Sequence, residues 1–179
     1  MTMFTEHSTE SAPPAARRAM AAVAGKRGYL PAAVALLAES PELLEGFLRL
    51  SASFEACTLD PLAREVVIMT VSVRNGCHLC VAMHTARLSA LGAGPALTEA
   101  LRAGLPPADP RLAAVRAFAL RVLETTGDVG APALEAFLVH GFTRRIALEV
   151  VLGIGTYTLS TLANRLIGAP VDDELAAFA

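Results

Sequence analysis

A chain of 179 residues suits one domain of ordinary size, or two small helical halves packed together. Apolar residues make up 54% and charged residues only 18%, a surplus that one core of this size does not absorb, so a homo-oligomer is expected. The net charge is −2 with no Lys/Arg cluster, which gives nucleic acid nothing to bind.

The N-terminal stretch 1–14 is polar and acidic and has no apolar core of the kind an export signal needs. It reads as a disordered tail ahead of a single domain over 15–179. Lack of an export signal implies a cytoplasmic protein, in which thiols stay reduced. Its three cysteines are then not a structural disulfide framework. Two of them form Cys77-x-x-Cys80, a pattern that in a reducing compartment points to redox or metal work.

Helix punctuation runs through the rest. Ser40-Pro41, Asp60-Pro61 and Asp109-Pro110 each place a capping side chain before a proline at the first helical position. Gly25, Asn75-Gly76, Gly92, Gly104, Gly127 and Gly168 mark stops. Helices are expected near 14–24, 31–38, 41–56, 61–74, 77–91, 95–103, 110–126, 131–140 and 143–167, an all-α fold. The run 66–73 (Val-Val-Ile-Met-Thr-Val-Ser-Val) is rich in β-branched residues and would also pass as a buried strand. The Asp60-Pro61 cap favours a helix buried on all sides. The uncharged run 150–164 is interrupted by Gly153, Gly155, Thr156, Thr158, Ser160 and Thr161. It falls short of the ~20 apolar residues a membrane span needs.

Cys77 follows the break at Asn75-Gly76 and is expected in the first turn of a helix. Unpaired amides and the positive dipole end there favour a thiolate. Cys80 lies three residues on and His84 four beyond that, so two thiols and an imidazole share one helix face. A base one turn from a thiol removes its proton, and the second thiol captures the oxidised first one as a disulfide. Glu65 heads the apolar run of the preceding helix and is placed to orient His84. A salt bridge to Arg64 or another surface cation is the plain alternative for Glu65. The dipole argument by itself nominates Cys77 as the attacking thiol.

Glu65, with Cys77, Cys80 and His84 twelve, fifteen and nineteen positions on, resembles the signature of the alkylhydroperoxidase D-like proteins within the carboxymuconolactone decarboxylase superfamily. Arg64-Glu65-Val66-Val67, Asn164-Arg165 and Asp172-Asp173 extend the likeness over roughly residues 30–175. The resemblance implies a compact all-α domain assembled as a dimer, a trimer or a multiple of trimers. It implies reduction of a peroxide substrate at the expense of a thiol or dithiol electron donor, with no metal or organic cofactor. By the same resemblance Cys80 is peroxidatic, Cys77 resolving, His84 the proton relay and Glu65 its partner. One departure stands out: members carry a histidine or tyrosine just before the second cysteine, and here that place is Leu79. His78 points about 100° away from the Cys77 direction and reads as an exposed helix residue.

Three rivals remain at this stage. Cys77, Cys80, His84 and Cys57 include enough ligands for zinc, but no second knuckle pair exists. Cys57 sits in an apolar stretch and reads as a small buried hydrophobe. A decarboxylase-like enzyme needs no thiol pair. A non-catalytic helical oligomer would use the thiols only to sense redox state. His7 and His140 show no partner in the sequence.

Overall fold

Side-chain caps start the helices where the sequence placed them. In the computed structural model, which describes residues 3–179, Ser40 Oγ accepts from the Leu43 amide and Asp60 Oδ1 from the Ala63 amide. Asp109 Oδ1 accepts from Arg111 and Leu112. A proline follows each cap, where its missing N–H leaves no hydrogen bond unmade.

The helices are α1 (Pro14–Arg27), α2 (Ala32–Leu37), α3 (Pro41–Glu55), α4 (Pro61–Arg74), α5 (His78–Ala90), α6 (Pro95–Arg102), α7 (Pro110–Glu124), α8 (Gly130–Leu138) and α9 (Arg144–Leu166). A short 3-10 segment, Asp173–Phe178, closes the chain. No strand forms among the described residues, so the expected all-α fold holds and 66–73 is helical. Its β-branched side chains cost little because α4 is the central rod, packed by α5, α6, α7 and α9. Val66, Val67, Met69 and Val71 have no exposed surface. Burying such side chains is worth about 1.5–3 kcal/mol each, well above the few tenths by which propensity disfavours them in a helix.

Residues 1 and 2 of the expected disordered tail lie outside the described residues. Residues 3–13 depart from that expectation. Ala12 is buried in an apolar cluster with Ala16, Met20 and Leu44. His7, which showed no partner in the sequence, sets Nε2 2.9 Å from Glu39 Oε2, and its amide donates to the Ala35 carbonyl. The segment's polar composition conceals this anchoring, which rests on very few side chains.

The chain's longest helix, α9, is long and apolar enough to cross a membrane by length and composition alone. More than half of its most apolar window is buried inside the protein, where it packs on α3, α4 and α7. Gly153 lets it approach α3: a Cβ there would come within 2.5 Å of Phe54 Cζ. Phe54 is fully buried, so an added methyl has no room and overpacking of this kind costs about 1–3 kcal/mol.

Glu149, also on α9, fixes the approach to α4. Its Oε2 accepts from the Thr58 amide (3.1 Å), the Thr58 hydroxyl (2.8 Å) and the Leu59 amide (3.1 Å), while Arg145 Nε donates to Oε1. Burial pushes its carboxyl pKa up, but these hydrogen bonds and the guanidinium hold it below the ordinary value. The connection that delivers α4, and therefore Glu65, is thereby held to α9.

Candidate active site

Three helices meet at the site. From α4 comes Glu65, from the start of α5 the thiols and His84, and from α9 Asn164 and Tyr157. Gly76, in the left-handed region at φ 63°, turns the chain between α4 and α5. The Cys77 amide then donates back to the Ser72 carbonyl at 3.0 Å. This turn sets Cys77 as the N-cap of α5, one position earlier than the first helical turn expected from the sequence.

Both thiols are free and buried, Cys77 3% and Cys80 1% exposed. Their sulfurs stand 3.0 Å apart. Asn164 Nδ2 reaches Cys80 Sγ at 3.4 Å and Ser160 Oγ at the same distance. The Cys80 thiol beside it, against the opposing effect of burial, holds the Cys77 pKa down from 9.0 to about 7; Asn164 and the Arg165 guanidinium help. Cys80 moves the opposite way. Its contact with Cys77 and its own burial push its thiol far up, only partly relieved by Asn164 and Ser160. Of the two, Cys77 ionises first.

Behind the thiols lies a buried acid–imidazole pair. Glu65, 6% exposed, places Oε2 2.7 Å from His84 Nδ1. The surface salt bridge considered for Glu65 does not form; Arg64 Nη1 instead donates to the Leu59 carbonyl. A carboxylate bonded to Nδ1 favours the tautomer that leaves Nε2 with its lone pair, which makes it available as a base. The Tyr157 and His84 rings meet nearly perpendicular, at a centroid distance of 5.2 Å. Burial and, against it, the Ser51 hydroxyl leave the Tyr157 pKa raised to about 12, so it stays neutral. Neither imidazole nitrogen hydrogen-bonds a thiol among the described residues.

A cleft of about 310 Å³ opens beside Cys77, lined also by His78, Leu79, Asn164, Arg165 and Val171. His78 is exposed at its rim, as read from its helical direction. Cys80, His84 and Glu65 do not line it. On the far side, Leu175 and Phe178 of the C-terminal segment pack in one cluster with the cysteines. That segment is pinned by Arg102, which donates to the Phe178 carbonyl at 2.7 Å and to Thr85 Oγ1 at 3.1 Å. Cys57 packs against a different apolar cluster. No group of three or more His, Cys, Asp or Glu residues converges on a metal-sized site among the described residues.

Residues 41–121 match the model of the carboxymuconolactone decarboxylase family, a stretch that contains Glu65, both cysteines of the pair and His84. The alkylhydroperoxidase AhpD core structure, an uncharacterized peroxidase-related protein from Ralstonia eutropha, superposes on the chain with a TM-score of 0.86 at 26% identity, covering 97% of this chain and 94% of its own. A second uncharacterized peroxidase-related protein, from Silicibacter sp., gives 0.80 at 21% identity over 98% and 97%. The debrominase Bmp8, crystallised as a cysteine-to-alanine variant with 2,3,4-tribromopyrrole, gives 0.75 at 15% identity over 99% and 96%, a likeness of fold alone. No curated protein gives a significant match to the chain. The resemblance drawn from the sequence holds in this form: a segment that matches the carboxymuconolactone decarboxylase family model lies within a fold similar to that of the alkylhydroperoxidase AhpD core structure.

The sequence reading passed over Asn164 and Tyr157 as site residues. Thr156, Ser160 and Asn164 recur every four residues along the second half of α9, and all three are buried. That polar stripe was the available signal for a group facing the thiols.

The lowered Cys77 thiol is open to measurement. Site-resolved alkylation by iodoacetamide is expected to rise with pH through about 7 at Cys77, because the thiolate is the nucleophile, with Cys80 reacting at higher pH than Cys77. Two cysteines that titrate together at the ordinary thiol value would contradict the arrangement.

Proposed function

We propose that this protein is a thiol-dependent hydroperoxide reductase that works through Cys77, Cys80, His84 and Glu65. The observation that carries the reading is a buried 3.0 Å thiol pair backed by a buried 2.7 Å carboxylate–imidazole pair. A dithiol accepts and releases two electrons, and the acid–imidazole pair moves the protons that go with them.

In this reading Cys80 attacks, because it is the thiol that needs a base. His84, oriented by Glu65, takes its proton through a bridging water. The Cys80 thiolate attacks one peroxide oxygen and the O–O bond breaks. The alkoxide leaves as an alcohol with the relayed proton, and Cys80 becomes a sulfenic acid. Cys77, free to ionise once Cys80 carries an uncharged sulfenic acid, attacks the Cys80 sulfur. A disulfide forms and hydroxide departs as water with a proton. A thiol or dithiol donor restores the pair. The second reading, in which Cys77 attacks the peroxide, is favoured by its place in the cleft and its lowered pKa.

Single-cysteine variants separate the two. Cys77→Ser is expected to react once with hydroperoxide and accumulate a sulfenic acid at Cys80, while Cys80→Ser loses the reaction. The reverse pattern would transfer the attacking role to Cys77. Loss in neither variant would remove the pair from peroxide chemistry. In the wild-type background, His84→Gln is expected to slow the first step by about 10²–10⁴, and Glu65→Gln by less if it acts only by orienting the ring.

The homo-oligomer expected from composition belongs to this reading. Leu148 (72% exposed), Val151, Leu162 and Leu166 (74%) form one uncovered apolar stripe on α9, which we assign to contact with a second copy of the chain. Light scattering at micromolar concentration is expected to give a mass of at least twice 18.6 kDa. The monomer mass, or an oligomer unchanged by Leu148→Glu with Leu166→Glu, would overturn that assignment.

A further inference from the structure

The cleft beside Cys77 carries an unspent set of polar groups. Arg165 is exposed at its edge and donates Nη1 to the Asn75 carbonyl. That bond anchors one end of the guanidinium. Its Nε and Nη2 have no partner, and no carboxylate forms an ion pair with it among the described residues. Asn164 lines the same cleft, 5% exposed, with its Oδ1 buried and without a hydrogen bond. A buried polar atom of this kind is costly unless a bound group satisfies it. Gly76, on the same wall, adds no side chain between Arg165 and the thiol.

We propose that this cleft selects the electron donor, and that the donor is a small thiol bearing a carboxylate: the acid sits on Arg165 while the donor sulfur meets Cys77. A guanidinium with two free N–H groups on one edge suits the fork of a carboxylate and rejects an ammonium. The buried Asn164 Oδ1 is placed to accept from an N–H or O–H of the same molecule.

The inference rests on the redox-pair reading, and the reduction step follows from which sulfur is reachable. With the pair oxidised, the donor thiolate attacks Cys77 Sγ, because Cys77 lines the cleft and Cys80 does not. The Cys77–Cys80 bond breaks, and Cys80 leaves as a thiolate, met by Asn164 Nδ2, and then takes a proton. A second donor thiolate attacks the donor sulfur of the mixed disulfide and releases Cys77. Its lowered pKa makes it a good leaving group. Two donor thiols become one donor disulfide, and two electrons and two protons pass to the protein.

The test needs no peroxide. The full chain is oxidised with diamide, and recovery of its thiols is followed with 3-mercaptopropionate, 2-mercaptoethanol and cysteamine. Each rate is divided by the same donor's rate with a small uncharged disulfide, which removes intrinsic thiol reactivity. The acid is expected to exceed the amine by about tenfold, the scale of one charge-assisted hydrogen bond in a partly exposed cleft. Arg165→Gln is expected to reduce that ratio to about twofold or less. Arg165→Lys is expected to keep part of it, and added salt to shrink it. A ratio near one in the wild type would overturn the proposal, as would a ratio that survives Arg165→Gln in a variant with unchanged helical content. Failure of the protein to consume hydroperoxide would sink the proposed activity and leave this result standing. Failure of diamide to join Cys77 to Cys80 would sink both.

Discussion

Everything at this site turns on holding two thiols 3.0 Å apart at a helix start that is almost dry. Two sulfurs that close cannot both ionise, so the contact splits their behaviour. Cys77, hydrogen-bonded by the Cys80 thiol and helped by the Cys80 amide, Asn164 and Arg165, is lowered to about 7 against its burial, while Cys80, beside it, is pushed the other way. The same proximity lets a disulfide form with little movement of the backbone. One geometric fact thus supplies a ready thiolate, a protonated partner and a short path to oxidation.

The surrounding fold serves that contact. Burial all round α4 fixes the height of Glu65, and the Glu149 network ties the approach to α4 against α9. The turn at Gly76 then delivers α5 so that His84 meets Glu65. Asn164 and Tyr157 reach in from α9, and the C-terminal segment, fastened by Arg102, covers the cysteines from outside. A carboxylate buried with an imidazole as its hydrogen-bond partner is expensive to maintain in a helical core. Its place beside a dithiol is the physical ground on which proton transfer is proposed for it.

Much of this was legible in the chain. The three cap-and-proline pairs located α3, α4 and α7, and the spacing of Cys77, Cys80 and His84 placed them on one helix. The pairing of Glu65 with His84 was open in the sequence, since Arg64 was an equal competitor; the burial of α4 decided it by turning Glu65 inward. What stayed hidden depended on contacts between distant segments. The 3–13 stretch looked like a tail because its anchors, Ala12 and His7, carry no periodic signal. The closing 3-10 turn at Asp173–Phe178 is too short to show one. Asn164 was visible as part of the Asn164-Arg165 likeness and as a polar position in α9, but its reach to Cys80 depends on how α9 packs beside the start of α5.

The central claim is that Cys77 and Cys80 act as one two-electron centre. A thiol count with peptide mapping after one equivalent of hydroperoxide tests it most directly. The account predicts the loss of two thiols per chain, recovered as a single Cys77–Cys80 disulfide, with Cys57 still free. A full count of three thiols, or oxidation that falls on Cys57 instead, would contradict it.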